Sequence, residues 1–188
     1  MNTSGVVCDT LRLLKHLVRE PDDYRRRLAT LGLLSSLFSK NGISSYAVGG
    51  SAIEIYTAGQ FRTGDIDLVV SDREKAAKIL EGVGFRKSGR VWEHPELDVV
   101  VDLLVGKRKP VGRKRTFRFG RRTILVAPVE DLIINRLVSA KYWKSTAQTD
   151  IEQAKTLLEV FTRKVDLALL KREAERQRVK DYLKTLVP

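Results

Sequence analysis

Tyr46-Ala47-Val48-Gly49-Gly50-Ser51-Ala52 and, beyond residues 53 to 64, Asp65-Ile66-Asp67-Leu68-Val69-Val70 are the segments on which the reading of this chain turns. The first runs as a short strand, Tyr46 to Val48, into a glycine turn, with a helix expected over Ala52 to Ala58. Glycines let a backbone approach a phosphate closely, and a helix N-terminus adds unpaired N–H donors and the positive end of a dipole. Ser51 is placed either to hydrogen-bond a phosphate oxygen or to cap its own helix. The second segment is a compact apolar strand opened by Asp65 and Asp67. Strand side chains alternate, so these two carboxylates point to one face. Two carboxylates so close repel unless a cation lies between them, which makes a divalent metal their natural occupant.

Outward from these segments, the apolar residues Leu11, Leu14, Leu17 and Val18 mark a helix over about Val6 to Arg19. Pro21 breaks it, and Asp22 and Asp23 start a second helix that runs to Lys40 with Leu28, Leu31, Leu34, Leu37 and Phe38 as its stripe. Asp72 caps a helix ending near Gly82 and Gly84. Val91 to Glu93 and Leu97 to Val105 read as a hairpin, as do Thr116 to Phe119 and Thr123 to Val126. After Pro128 the pattern is helical: Val129 to Tyr142, Thr149 to Phe161, and one or two helices from Asp166 to Leu186. Strands in the middle and helices on both sides predict an α+β class, a mixed sheet flanked by helices with a C-terminal helical part. Its segments are N-terminal helices (1–43), a core (44–127) and a helical subdomain (128–188).

The strand Leu97 to Val105 carries a third acid. Asp98, Val100, Asp102 and Leu104 share one face, and a carboxylate flanked by valine and leucine is expensive to bury without a partner. A neighbouring strand bearing Asp65 and Asp67 would supply that partner through a shared metal. Mg²⁺ (or Mn²⁺) suits such a site, because it is held by a few carboxylates plus substrate phosphates.

The net charge of +12 favours polyanionic partners. With 43% hydrophobic and 31% charged residues, the chain has the composition of a globular protein, and a disordered one is excluded. A single cysteine, Cys8, excludes a disulfide framework and a Cys-based zinc site. No segment approaches the run of about 18 apolar residues that a membrane span requires. A cytoplasmic location with no membrane partner is therefore expected. The stretch Gly106 to Arg122 holds nine Lys or Arg residues with Phe117 and Phe119. Lys107, Arg108, Lys109, Arg113, Lys114 and Arg115 are its candidates for touching nucleic acid or an acidic partner. His16 and His94 lie in unlike contexts and are given no role.

Gly50-Ser51, the spacer 52 to 64, and Asp65-Ile66-Asp67-Leu68 together resemble the signature of the polymerase-β-like nucleotidyltransferase superfamily. Arg62-Thr63, Asp102-Leu103-Leu104 and Pro128-Val129-Glu130-Asp131-Leu132, with Lys141 and Thr149-Asp150-Ile151, resemble its small prokaryotic branch, which includes the AbiEii-type toxins of toxin–antitoxin systems. The resemblance spans roughly residues 44 to 160. The chain departs from the pattern at Gly49, where the family usually has a hydrophobic residue. The glycine pair thus reads either as Gly50-Ser51 or as Gly49-Gly50.

The resemblance implies that Asp65, Asp67 and Asp102 are the metal-binding and catalytic triad. It implies that Gly49, Gly50 and Ser51 contact the triphosphate of an NTP such as ATP, with Arg62, Lys141 and Lys144 as further phosphate partners. Lys141 and Lys144 are expected one turn apart on a helix. The implied reaction moves a nucleoside monophosphate to a hydroxyl of tRNA or another RNA, of a protein, or of a small molecule such as an aminoglycoside. An acidic antitoxin protein is an implied partner. The competing reading is a non-catalytic RNA- or partner-binding module on the same fold. A phosphohydrolase would ordinarily need more histidine ligands than this chain has.

Overall fold

The computed structural model describes residues 3–106 and 110–187, and for residues 3–9 the backbone alone. Fifteen elements succeed one another: α1 (Thr3–Leu17), α2 (Asp23–Lys40), β1 (Ser45–Ala47), α3 (Gly49–Tyr56), β2 (Asp65–Val70), α4 (Arg73–Gly82), β3 (Arg86–Ser88), β4 (Val91–His94), β5 (Val99–Val105), β6 (Arg115–Phe119), β7 (Arg122–Val126), α5 (Val129–Tyr142), α6 (Ala147–Val160), α7 (Leu167–Arg176) and α8 (Lys180–Lys184). The strands form one sheet in the order β3-β4-β5-β2-β1-β7-β6. The pairs β2–β5 and β1–β7 are parallel and the others antiparallel, so the class is mixed α+β as expected.

The two faces of this sheet differ sharply. On one, Ala47, Ile66, Leu68, Val99, Val101, Leu103, Ile124, Val126 and Trp92 are all buried. Helix α2 supplies Leu28, Leu31, Leu34, Leu37 and Phe38 to the same core, and α4 supplies Ala76 and Leu80. On the other face Val69, Val100 and Tyr46 are half-buried, and Leu104, Leu125, Thr116 and Arg118 are exposed. The alternation in β2 and β7 is thus that of a sheet covered on one side.

Local chemistry explains the element ends. The Asp22 carboxylate accepts the Arg25 N–H at 2.8 Å and starts α2, and Asp72 does the same for α4 through Lys75 at 2.9 Å. Behind the sheet, Arg27 of α2 makes a buried ion pair with Glu54 of α3. At the C-terminal side, buried Asp150 accepts from Arg136 (3.0 Å), Ser139 (2.7 Å) and Thr146 (2.8 Å), which clamps α5 to α6. The ring of Tyr56 meets Phe161 edge-on, with centroids 4.9 Å apart, and joins α3 to the end of α6.

Three elements differ from the sequence reading. Strand β3 is unanticipated: Arg86-Lys87-Ser88 is an exposed edge strand with no apolar alternation to announce it. Strand β5 begins at Val99 rather than Leu97, because Asp98 takes a left-handed conformation (φ +49°) in the turn that precedes it. Asp98 therefore leaves the strand face on which it was expected. Helix α3 begins at Gly49, so the glycines form its first turn instead of a loop before it.

Candidate active site

Parallel pairing of β2 with β5 sets Asp67 opposite Asp102 and Asp65 opposite Val100. Residues opposite one another in adjacent strands share a face, so all three carboxylates stand on the uncovered face of the sheet. The turn after β1 comes up against them. The Val48 N–H donates to the Asp67 carbonyl at 3.1 Å. The Gly50 N–H donates to Asp67 Oδ2 at 3.0 Å. Gly49 is left-handed (φ +55°), and a Cβ there would collide with the Asp67 carboxylate. A Cβ on Gly50 would lie 2.7 Å from the Thr63 hydroxyl. Gly49 is thus required by its close approach to Asp67, a constraint on backbone conformation and space together, and Gly50 by its packing against Thr63.

Each carboxylate takes a different donor. Asp67 has Gly50. Asp65 Oδ1 accepts from the Thr63 hydroxyl at 2.8 Å. Asp102 Oδ2 lies 3.3 Å from the Arg90 guanidinium, whose side chain is 83% exposed against 5% for Asp102. Burial and the neighbouring Asp65 charge raise the Asp67 carboxyl to about 6, against the Gly50 N–H, which lowers it; Asp102 adds to the rise. Among the described residues no three carboxylate, imidazole or thiolate groups stand close enough to enclose an ion as they are. The donor set nevertheless suits a hard divalent cation: it consists of oxygen ligands alone, it is crowded with like charge, and burial together with that crowding raises one of its acids. Asp65, Asp67 and Asp102 are the residues that would hold it.

Other expected site residues fall in varied places. Ser51 is buried in the first turn of α3. Its hydroxyl donates to the Asp65 carbonyl (3.0 Å) and accepts the Asp67 N–H (2.8 Å). Its hydroxyl does not cap α3 and instead pins the start of β2. Arg62 is exposed. With the Arg25 N–H as the larger cause, its charge helps hold the Asp22 carboxyl below the usual range. Lys141 donates to the Arg178 carbonyl at 2.8 Å, which ties α5 to the segment after α7. Lys144 does not share its helix, because α5 ends at Tyr142 and Lys144 lies in the turn beyond it.

The basic stretch divides similarly. Lys107, Arg108 and Lys109 lie outside the described residues. Val111 N–H donates to Asp131 at 2.9 Å and anchors the segment leading into β6 to α5. Arg113 is exposed. Lys114 places its ammonium 3.9 Å from the centre of the Tyr46 ring. Tyr46 pairs with Val69, so that ammonium is on the triad's face. Arg115 is structural instead: it stacks on Phe161 (4.9 Å) and donates to the Lys164 carbonyl (2.9 Å).

The sequence reading missed the roles of Thr63 and Arg90. A hydroxyl two residues before an aspartate is a usual local partner, so Thr63 left a faint signal. Arg90 left none, since its contact with Asp102 exists only through the β3–β4 turn and the pairing of β4 with β5.

The fold has counterparts among solved structures. An antigenic nucleotidyltransferase-like protein from Paracoccidioides brasiliensis superposes with a TM-score of 0.61 at 15% identity, over 87% of this chain and 93% of that one. The fold is that of the nucleotidyltransferases. The antibiotic-resistance factor ANT(2'')-Ia, at 17% identity and a TM-score of 0.52, covers 81% of this chain and is covered over 93% of its own. Neither a family model nor a curated protein sequence matches the chain. What ties this chain to the nucleotidyltransferase fold is therefore its architecture, shared at identities where sequence comparison alone is mute.

Proposed function

We propose that the chain is a metal-dependent nucleotidyltransferase that moves a nucleoside monophosphate from an NTP to a hydroxyl acceptor. The observation that carries this is the placement of Asp65, Asp67 and Asp102 on one uncovered sheet face, at adjacent registered positions, against a glycine turn that a side chain would block. When bound, Mg²⁺ or Mn²⁺ would supply positive charge for the donor's phosphates and for the oxygens that change partners. The protein's own part is positional. Gly50 and Thr63 orient Asp67 and Asp65, and Ser51 fixes the strand from which both project. In the reaction an acceptor oxygen bonds to the α-phosphorus, the bond to pyrophosphate breaks, and a triad carboxylate takes the acceptor's proton.

Charge selects the acceptor class. Beyond the triad the uncovered face carries the Lys114 ammonium and Arg118, and the remaining acid among its described strand residues, Glu93, sits opposite Arg86. A polycationic small molecule is repelled there, whereas an RNA end is attracted. RNA is accordingly the acceptor we favour, with a toxin role and an acidic antitoxin as the physiological setting that the AbiEii-like motifs suggest. The test is incubation with Mg²⁺, each α-³²P-labelled NTP and total tRNA, beside the Asp65→Ala/Asp67→Ala double variant. Label transferred to RNA and lost in the variant supports the proposal. Absence of transfer and of Mg²⁺-dependent nucleotide binding would leave a binding module on the same fold.

A further inference from the structure

A cationic recess lies on the other side of the sheet from the triad. A cavity of about 440 Å³ is lined by Arg12 of α1, Ser36 and Lys40 of α2, Arg121 of the β6–β7 turn and Arg122 at the start of β7, with a floor that includes Leu33 and Leu37. No carboxylate is among its described lining residues. Arg12 is also engaged elsewhere, so the positive charge counted here is that of Lys40, Arg121 and Arg122. Among the described residues the side chains of these three have neither an ion pair nor a hydrogen bond.

The cavity is separate from the triad. Val126, at the far end of β7, is the residue that pairs with Ala47 beside the glycine turn. Arg122 is four residues earlier, about 13 Å along the strand at 3.3 Å per residue. Arg122 also alternates with Ile124 and Val126 and so projects to the covered face, opposite the carboxylates.

Gly32 shows that this placement is built in. It lies buried within α2, where glycine is less favourable than alanine. A Cβ there would meet the Arg122 side chain at 3.1 and 3.2 Å. The missing methyl group lets the apolar stem of Arg122 cross the helix and bring its guanidinium to the cavity. Cations gathered in a recess with no carboxylate among its described lining residues repel each other, and a multiply charged anion removes that cost. Guanidinium forks match phosphate oxygens in shape as well as charge.

We infer that this recess is an anion site for a phosphate-bearing ligand, distinct from the triad. A free phosphorylated molecule and a phosphodiester of a bound RNA share the chemistry it recognises. The test is calorimetric titration in EDTA at low salt, with inorganic pyrophosphate in one arm and a single-stranded RNA dodecamer in the other. Proteins compared are the wild type, Lys40→Gln/Arg121→Gln, Gly32→Ala and Asp67→Asn. Lys40 and Arg121 are exposed, so their double variant is expected to keep the fold.

The double variant should bind at least tenfold more weakly, and Asp67→Asn should bind like the wild type. A loss in the pyrophosphate arm assigns a free phosphate. A loss in the RNA arm alone, with a shallower salt slope, assigns a phosphodiester. Gly32→Ala, which crowds Arg122 while leaving every charge in place, should weaken binding in the same arm. Unchanged affinity of the double variant in both arms, or a loss equalled by Asp67→Asn, overturns the inference. The outcome is independent of nucleotide transfer, which the labelling assay reads separately.

Discussion

Replacing Asp67 by asparagine should stabilise the metal-free protein near neutral pH. The carboxyl rises from 3.8 to about 6 because it is buried beside Asp65 and Asp102. In the native state it therefore holds a proton between those values that the unfolded chain has released. Stability is full below the lower value and falls as pH climbs through the upper one. At 1.36 kcal/mol per pH unit, the ionised group costs the fold up to about 3 kcal/mol at pH 7.5.

Asparagine removes that cost and keeps an oxygen to accept the Gly50 N–H. The weaker neutral hydrogen bond returns about 1 kcal/mol of the gain. The expected net stabilisation is about 1–2 kcal/mol, a rise in Tm of roughly 2–8 °C for a chain of this size. Calorimetric melts in EDTA at pH 7.5 and 4.5 provide the assay. At pH 4.5 the wild-type carboxyl is mostly protonated, and the advantage of the variant should shrink toward zero. A variant no more stable than the wild type at pH 7.5, or one whose advantage is the same at both pH values, would refute the reasoning. Nucleotide transfer should be lost in this variant, so stability and activity would move in opposite directions.

Other substitutions probe the supports of the site. Gly49→Ala meets both a left-handed backbone and the Asp67 carboxylate; it should cost about 2 kcal/mol or more by chemical denaturation and abolish transfer. Ser51→Ala leaves the half-buried Asp67 N–H and Asp65 carbonyl without their shared partner. A loss of about 1–3 kcal/mol is expected in urea melts, and an unchanged midpoint would contradict the pinning role. Arg27→Met strands the buried Glu54 carboxylate, and a loss of about 3–5 kcal/mol should appear as a lower Tm. Because Arg90 lies over Asp102, Arg90→Ala should tighten Mn²⁺ binding measured by spin resonance, whereas weaker binding would make the arginine a support of the site.

Much of the candidate site's geometry was legible because it is local. The alternation of Asp65 and Asp67 on one face comes from the pleat of any strand. The glycines and the helix near them are likewise written in consecutive residues, although the helix starts at Gly49 itself, as are the caps at Asp22 and Asp72. Pattern also announced β5, since Val99 to Val105 is continuously apolar except at Asp102. Edge strand β3 was invisible for the opposite reason: exposed on both sides, Arg86-Lys87-Ser88 carries no periodic signal.

What only the tertiary structure decided is which distant groups meet. Sequence brings Asp102 to a strand, but the parallel register of β2 and β5 puts it beside Asp67 and not one residue away on the other face. It made the Ser51 hydroxyl a brace for β2 and set Lys141 against the Arg178 carbonyl. It gathered Lys40, Arg121 and Arg122, from separate parts of the chain, around one recess. The physical reason is common to all of these. Side-chain alternation and capping depend on neighbours along the chain, whereas register, burial and the convergence of like charges depend on how a covered sheet face is packed by helices far away in sequence.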